Sequence, residues 1–211
     1  MGLRRRFLAG AARQLGRPEG WRGRLVGQAL NRGNRSIIEA AVAASEAGPG
    51  HVVADVGFGG GVGLRILLDR VAPAGHVHGV DVSITMVAQA QRRFAAECAD
   101  GRLTVSVGSM LDLPLADDVL DAAITVNTVY FLEDVDPALK EFARVLKPGG
   151  RLVIGVTDPD AMSRMPVTAH GFRLRSVADL LAAMDAAGFA RTRSDRLPRG
   201  GVGRHVLVGE I

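Results

Sequence analysis

The stretch Val52-Val53-Ala54-Asp55-Val56-Gly57-Phe58-Gly59-Gly60-Gly61-Val62-Gly63 decides the fold. A short apolar run holds one acid and then breaks into glycines. Leu64, Leu67, Leu68 and Val71 follow at spacings of three and four. This pattern predicts a strand, a tight turn and a helix N-terminus. Glycine tolerates positive φ and lets a ligand approach the backbone. The helix start adds free N–H groups and a partial positive end. Strand, turn and helix together make a cofactor-binding turn.

Outward from that turn, strand and helix patterns alternate. Upstream, Ser36 to Ala47 reads as a helix with Ile37, Ile38, Ala41, Val42 and Ser45 in one stripe, closed by Gly48-Pro49-Gly50. Downstream, strands are expected at His76–Asp81, Leu103–Val107, Leu120–Val126 and Leu152–Val156. Helices are expected from about Ile84 to Ala96 and from about Pro137 to Leu146. Thr157 to Arg175 reads as a loop and, with residues 1–34, is expected to flank the ligand site. Ser176 caps a helix over Val177–Ala187, and Phe189–Leu197 and Arg204–Val208 form a last strand pair. The expected fold is therefore α/β: a Rossmann-like, doubly wound, mostly parallel seven-stranded sheet, with helices on both faces and one antiparallel strand in its edge region. Residues 35–211 form one domain, and residues 1–34 form a basic arm that could act as a lid.

Charge separates the arm from the rest. The net charge is +4, yet residues 1–35 carry nine arginines against the single acid Glu19. That segment is +8 and the remainder −4. An anionic surface, nucleic acid or membrane, is one reading of such an arm, and a cover over a site is another. The lone Cys98 excludes an intramolecular disulfide and a cysteine-based zinc cluster. No apolar run is long enough to cross a bilayer, and Arg13 interrupts the N-terminal apolar stretch, so a cytoplasmic protein is expected. No set of carboxylates suggests a divalent metal.

The glycines narrow the cofactor. A dinucleotide site needs G-x-G-x-x-G, but Gly57, Gly59 and Gly61 are followed by Val62 where the last glycine should stand. Asp81 ends the second strand, where an acid accepts hydrogen bonds from ribose hydroxyls. Neither Val82 nor Ser83 could hold a 2′-phosphate.

At this point the chain resembles the class I S-adenosylmethionine-dependent methyltransferases, in their small bacterial branch. Asp55 through Gly61, Gly79 through Met86, Gly108 through Leu115, Val126 through Phe131 and Arg144 through Leu152 carry the resemblance in order. The resemblance implies S-adenosyl-L-methionine as cofactor and S-adenosyl-L-homocysteine as product. It implies that Gly57, Phe58, Gly59 and Gly61 let the backbone approach the methionine part, and that Asp55 faces its amino group. Asp81 would take the ribose hydroxyls, with Val82 and Met86 near the adenine. Ser109 and Met110 stand where the family often has an acid for the adenine amino group, and Asp112 is a nearby replacement. Asn127 and Thr128 would line the reactive end.

Methyl transfer from a sulfonium is an in-line displacement and needs no catalytic residue when the acceptor is already nucleophilic. For a hydroxyl acceptor, His170, Tyr130 and Asp158 are the candidate bases. His51, His76 and His78 read as structural or exposed, and Met162 and Met165 as filler or lid residues. Asn127-Thr128-Val129-Tyr130 lacks the prolines of the nitrogen-directed N-P-P-Y motif. A small-molecule or lipid-like acceptor is therefore the leading expectation. The alternatives are an RNA methyltransferase that uses the arginine arm, and a cofactor-binding protein without catalysis. A homodimer remains open.

Overall fold

In a computed structural model of the chain, the described residues are 33–169, 171–197 and 203–211. A helix containing residues 33–44 (α1) precedes the glycine turn. It begins at least three residues earlier than the sequence pattern suggests, so the expected boundary between arm and domain falls inside it. Next come β1 (Val52–Val56), α2 (Val62–Val71), β2 (His76–Asp81), α3 (Ile84–Arg93), α4 (Ala95–Ala99), β3 (Leu103–Val107) and β4 (Leu120–Val126). The second half holds α5 (Asp136–Val145), β5 (Leu146–Thr157), α6 (Pro159–Ser163), α7 (Val177–Ala186), β6 (Ala190–Arg196) and β7 (Arg204–Glu210).

The strands form one seven-stranded sheet in the order β3-β2-β1-β4-β5-β7-β6. Pairings among β3, β2, β1, β4 and β5 are parallel. β7 is antiparallel to both β5 and β6, and lies one strand in from the edge. The connection leaving β1 turns to one side and the return to β4 lies on the other. That reversal opens a crevice beyond the carboxyl ends of these strands.

Alternation along the strands sends side chains to two cores. Val53, Val77, Ile124 and Val153 join Ile37, Leu64, Leu68, Met86 and Phe94, so α1, α2 and α3 cover one face. Ala54, Val80, Ala123, Leu152 and Ile154 join Leu139, Phe142, Leu180 and Met184, so α5 and α7 cover the other. On α5 the buried residues Ala138, Leu139, Phe142 and Val145 repeat at helical spacing. α7 begins in a capping box: Ser176 Oγ accepts the Asp179 N–H at 3.0 Å, and the Asp179 carboxylate accepts the Ser176 N–H at 3.3 Å.

Three expectations change. The helix expected over Ile84–Ala96 breaks at Phe94, whose φ of −112° and ψ of 32° leave the helical region. Its fully buried ring lies beneath Gly61, between the Arg65 and Arg93 guanidinium groups at 4.9 and 5.3 Å. β5 starts at Leu146 rather than Leu152: Leu146 pairs with Leu120, four residues loop out, and Arg151 pairs with Ala122. The segment expected as a loop contains α6 and a 3-10 turn at Pro166–Ala169. Asp158 caps α6 by accepting the N–H groups of Asp160 and Ala161 at 3.0 and 3.2 Å, with Pro159 set for the first helical position.

Candidate functional site

The carboxyl ends of the parallel strands open onto a cavity of about 660 Å³. Gly57, Val82, Gly108 and Asn127 line it, each the residue that follows a strand, and Thr157 closes β5 there. Such a volume suits a small ligand with room for a second.

The glycine turn forms the near wall. Gly57, Gly59 and Gly61 all hold positive φ, at 74°, 50° and 75°, where an L side chain is strained. A Cβ on Gly57 would also fall 2.4 Å from Thr128 Cγ2. The Gly57 N–H donates to the Val80 carbonyl at 2.7 Å, which ties the turn to β2.

Two buried acids meet this turn. Asp81 accepts the Gly59 N–H at 2.9 Å through one carboxylate oxygen and the Ser83 N–H at 2.8 Å through the other. Each oxygen keeps a lone pair for a ligand hydroxyl. Burial raises the Asp81 pKa, and the two N–H groups oppose that rise. Asp55 lies only 5% exposed and packs over the first turn of α2, where a Cβ on Gly63 would fall 2.2 Å from its Oδ2. Burial, and then the Asp81 charge, push Asp55 up to about 8. Among the described residues no hydrogen bond reaches its carboxylate. A buried acid in this state is stabilised by an arriving cation.

Every residue expected to hold the cofactor lines the cavity except Gly61. Gly61 instead starts α2 in a left-handed conformation over the Phe94 ring. Phe58 and Met86 are buried, whereas Val82 is 39% exposed. The Ser109 hydroxyl accepts the Leu111 N–H at 3.1 Å, and Met110 lines the wall beside it. Asp112 does not replace the missing acid: it is exposed and absent from the cavity lining. The Thr128 hydroxyl meets that of Thr125 at 2.5 Å, and Thr125 donates to the Val56 carbonyl at 2.8 Å. Asn127 sits at φ 56°, where its Oδ1 accepts the Thr157 N–H at 3.1 Å.

The candidate bases fare differently. Tyr130 lines the cavity but is 2% exposed, and its hydroxyl donates to the Thr157 carbonyl at 3.1 Å. Burial raises its pKa further, so its position is that of a tether and not of a base. Asp158 caps α6, faces His205 at 3.6 Å and lies outside the lining. Backbone N–H groups hold its pKa below the usual range. His170 lies outside the described residues.

The pattern reading gave no site role to Ile38, Leu132 and Arg204, which line the cavity, whereas Thr168 and Phe172 belong to the segment it expects beside the site. Phe172 packs against Phe131 with ring centres 4.9 Å apart and planes inclined at 55°. The Thr168 hydroxyl ties the chain at Met162 and Met165 at 3.0 and 2.7 Å. Ile38 carried a signal as a member of the apolar stripe on α1, and the structure leaves it half-buried. Arg204 carried none.

Known proteins share this fold. A profile described as "Methyltransferase domain" matches residues 54–154. The uncharacterized methyltransferase YdaC of Bacillus subtilis is 31% identical over 134 residues, covering 64% of this chain and 71% of that protein. Demethylmenaquinone methyltransferase of Symbiobacterium thermophilum is 37% identical over 107 residues, covering 50% of this chain and 42% of that protein. A chain from the complex between the Haloferax volcanii Trm112 methyltransferase activator and the methyltransferase superposes with a TM-score of 0.76 at 23% identity. The overlap covers 87% of this chain and 92% of that one. The chain belongs to the class I S-adenosylmethionine-dependent methyltransferases. It spans under half the length of several curated relatives, at 36%, 38% and 42%.

Among the described residues no group of His, Cys, Asp and Glu is arranged to hold a metal ion. No described helix is long and apolar enough to cross a membrane.

Proposed function

We propose that this protein transfers a methyl group from S-adenosylmethionine to a small, largely apolar acceptor held in the same cavity. The observation that carries the reading is the pair of buried acids on the glycine turn: Asp81 engaged by the Gly59 and Ser83 N–H groups, and Asp55 buried without a donor among the described residues. The donor set fits the cofactor. Asp81 offers acceptors to two vicinal ribose hydroxyls, and Asp55 offers a buried negative charge to an ammonium group.

The cofactor, when bound, supplies the electrophilic methyl on its sulfonium. The chain's own residues bind, orient and exclude water. Gly57, Phe58 and Gly59 bring the backbone to the methionine part, while Gly61 sets the turn from beneath. Val82, Met86, Ser109 and Met110 surround the base. Asn127 and Thr128 edge the reactive end, where the left-handed Asn127 is held by Thr157. Among the described residues no side chain stands as a general base, so the reading needs an acceptor that brings its own nucleophile or loses its proton to water.

The methyltransferase domain takes in α1, whose first residues flank the acceptor together with the segment from Thr157 to Arg175. In support, Thr157, Met162, Met165, Thr168 and Phe172 line the cavity from that segment, and Gly33 and Asn34 from the start of α1. The many apolar side chains on this wall favour an apolar acceptor.

Calorimetry with S-adenosylhomocysteine tests the reading. Stoichiometric binding is expected, and Asp81→Ala loses most of it. Binding of NAD in its place would overturn the proposal. A labelled-methyl screen of cell extract then identifies the acceptor.

A further inference from the structure

The cavity has one more charged group. Among the described residues, its acidic and basic lining consists of Asp55, Asp81 and Arg204. The acids stand at the ends of β1 and β2. Arg204 begins β7, in register with Thr157 of β5. From β1 across β4 and β5 to β7 is three strand spacings, or roughly 14 Å. The cavity therefore has an anionic end and a cationic end.

Arg204 is unlike most arginines of the fold. Arg144, Arg151 and Arg65 each meet a carboxylate, at Glu141, Glu210 and Glu97. Arg204 donates to the Ser36 hydroxyl and, at 2.6 Å, to the Gly33 carbonyl, both on α1. These partners are neutral. No carboxylate pairs with it among the described residues, and a guanidinium has five N–H donors. Its charge faces a wall that also carries Ile38, Met162 and Phe172. Two hydrogen bonds to α1 aim the side chain and hold it there, which lowers the ordering cost of meeting an anion.

The cofactor does not supply that anion on the geometry proposed above. Its ammonium and carboxylate share one carbon, so an ammonium at Asp55 keeps the carboxylate at the β1 end. We infer that Arg204 recognises an anionic group on the acceptor, so that the acceptor is an apolar molecule bearing a carboxylate or a chemically equivalent oxyanion. The acceptor's apolar body lies along Ile38, Met162 and Phe172, and its oxyanion meets the guanidinium in the fork geometry that suits carboxylates. The inference rests on the methyltransferase reading and adds a charge requirement to its acceptor.

The test uses the full chain saturated with S-adenosylhomocysteine and two probes of similar shape, 2-naphthoate and neutral 2-naphthalenemethanol. By calorimetry the carboxylate is expected to bind on the order of tenfold to a hundredfold tighter. Arg204→Met should erase that difference, and Arg204→Lys should keep part of it. Ser36→Ala, which loosens the tether but leaves the charge, should preserve the preference for the carboxylate. Equal affinity for both probes, no binding of either, or equal losses for both in Arg204→Met would each overturn the inference. A further comparison uses S-adenosylhomocysteine and 5′-methylthioadenosine, which lacks the amino-acid carboxylate. If Arg204→Met weakened only the former, Arg204 would serve the cofactor and the inference would fall. Failure of S-adenosylhomocysteine to bind the unaltered chain would instead strike the methyltransferase reading itself.

Discussion

The carboxylate of Asp81 accepts the backbone N–H of Gly59, 22 residues upstream, at 2.9 Å. One acid thus fixes the left-handed glycine turn and faces the cavity with its remaining lone pairs. The two tasks separate by substitution. Asp81→Asn keeps an acceptor for the backbone but loses the charge. Asp81→Ala loses both. We expect Asp81→Ala to weaken S-adenosylhomocysteine by about a hundredfold or more, and Asp81→Asn by a smaller factor, measured by calorimetry. An alanine variant that binds as tightly as the parent would remove Asp81 from the site.

Asp55 makes the apo protein and its complex respond to pH in opposite directions. Its native pKa of about 8 lies far above the 3.8 of an ordinary aspartate. Between those values the unfolded chain has released a proton that the native state retains. The contribution of Asp55 to stability is therefore full below about pH 4 and is lost as pH rises to about 8. Pairing with an ammonium needs the carboxylate charged, so cofactor affinity rises across pH 6 to 8. It falls again once the cofactor's own amino group deprotonates at higher pH. Titration of S-adenosylhomocysteine from pH 5.5 to 9, as a set of trial conditions at roughly half-unit steps, should show an acid limb that Asp55→Asn flattens. An acid limb unchanged in that variant would mean Asp55 holds no ammonium.

How far the sequence reveals this site depends on how local each signal is. The turn at Gly57–Gly61 and the strand-end Asp81 were readable because each rests on chemistry within a few residues. The break at Phe94 was hidden, because the apolar periodicity continues through it while the ring is drawn under Gly61. α6 was hidden by the prolines and methionines around it, although Asp158-Pro159 is itself a helix-start signal. Arg204 could not be found at all. It reaches the cavity only because β7 pairs antiparallel with β5, which sets Arg204 opposite Thr157. Tyr130 was readable as an aromatic after β4, but not as a hydroxyl locked between Asn127 and Thr157.

Gly63 carries a packing constraint that no positive φ explains. It is the second residue of α2, where alanine would normally favour the helix. A Cβ there would sit 2.2 Å from Asp55 Oδ2 and 3.3 Å from Ile124 Cδ1. Gly63→Ala should therefore destabilise the fold by about 1–3 kcal/mol, read by thermal denaturation. Most of the overlap is with one carboxylate, so Asp55→Ala in the same chain should recover part of the loss. Strictly additive effects in the double-mutant cycle would show that the two residues do not press on each other.

Tyr130 distinguishes a tether from a base. Its hydroxyl donates to the Thr157 carbonyl and accepts the Thr157 N–H, so it clasps the end of β5 to the 3-10 turn at Val129–Phe131. Phe at this position keeps the ring and its packing near Phe172, at 6.2 Å between centres, and removes the clasp. The Thr157 N–H retains Asn127 Oδ1, but the carbonyl loses its donor. A cost of about 1–2 kcal/mol follows, with a fall in Tm of a few degrees. Burial holds the phenol above its ordinary range, so it gives up no proton near neutral pH. With an acceptor found by the labelled-methyl screen, Tyr130→Phe should lower turnover modestly and leave the shape of the pH–rate profile unchanged. Loss of one limb of that profile, with Tm unaltered, would make the hydroxyl a participant in proton transfer.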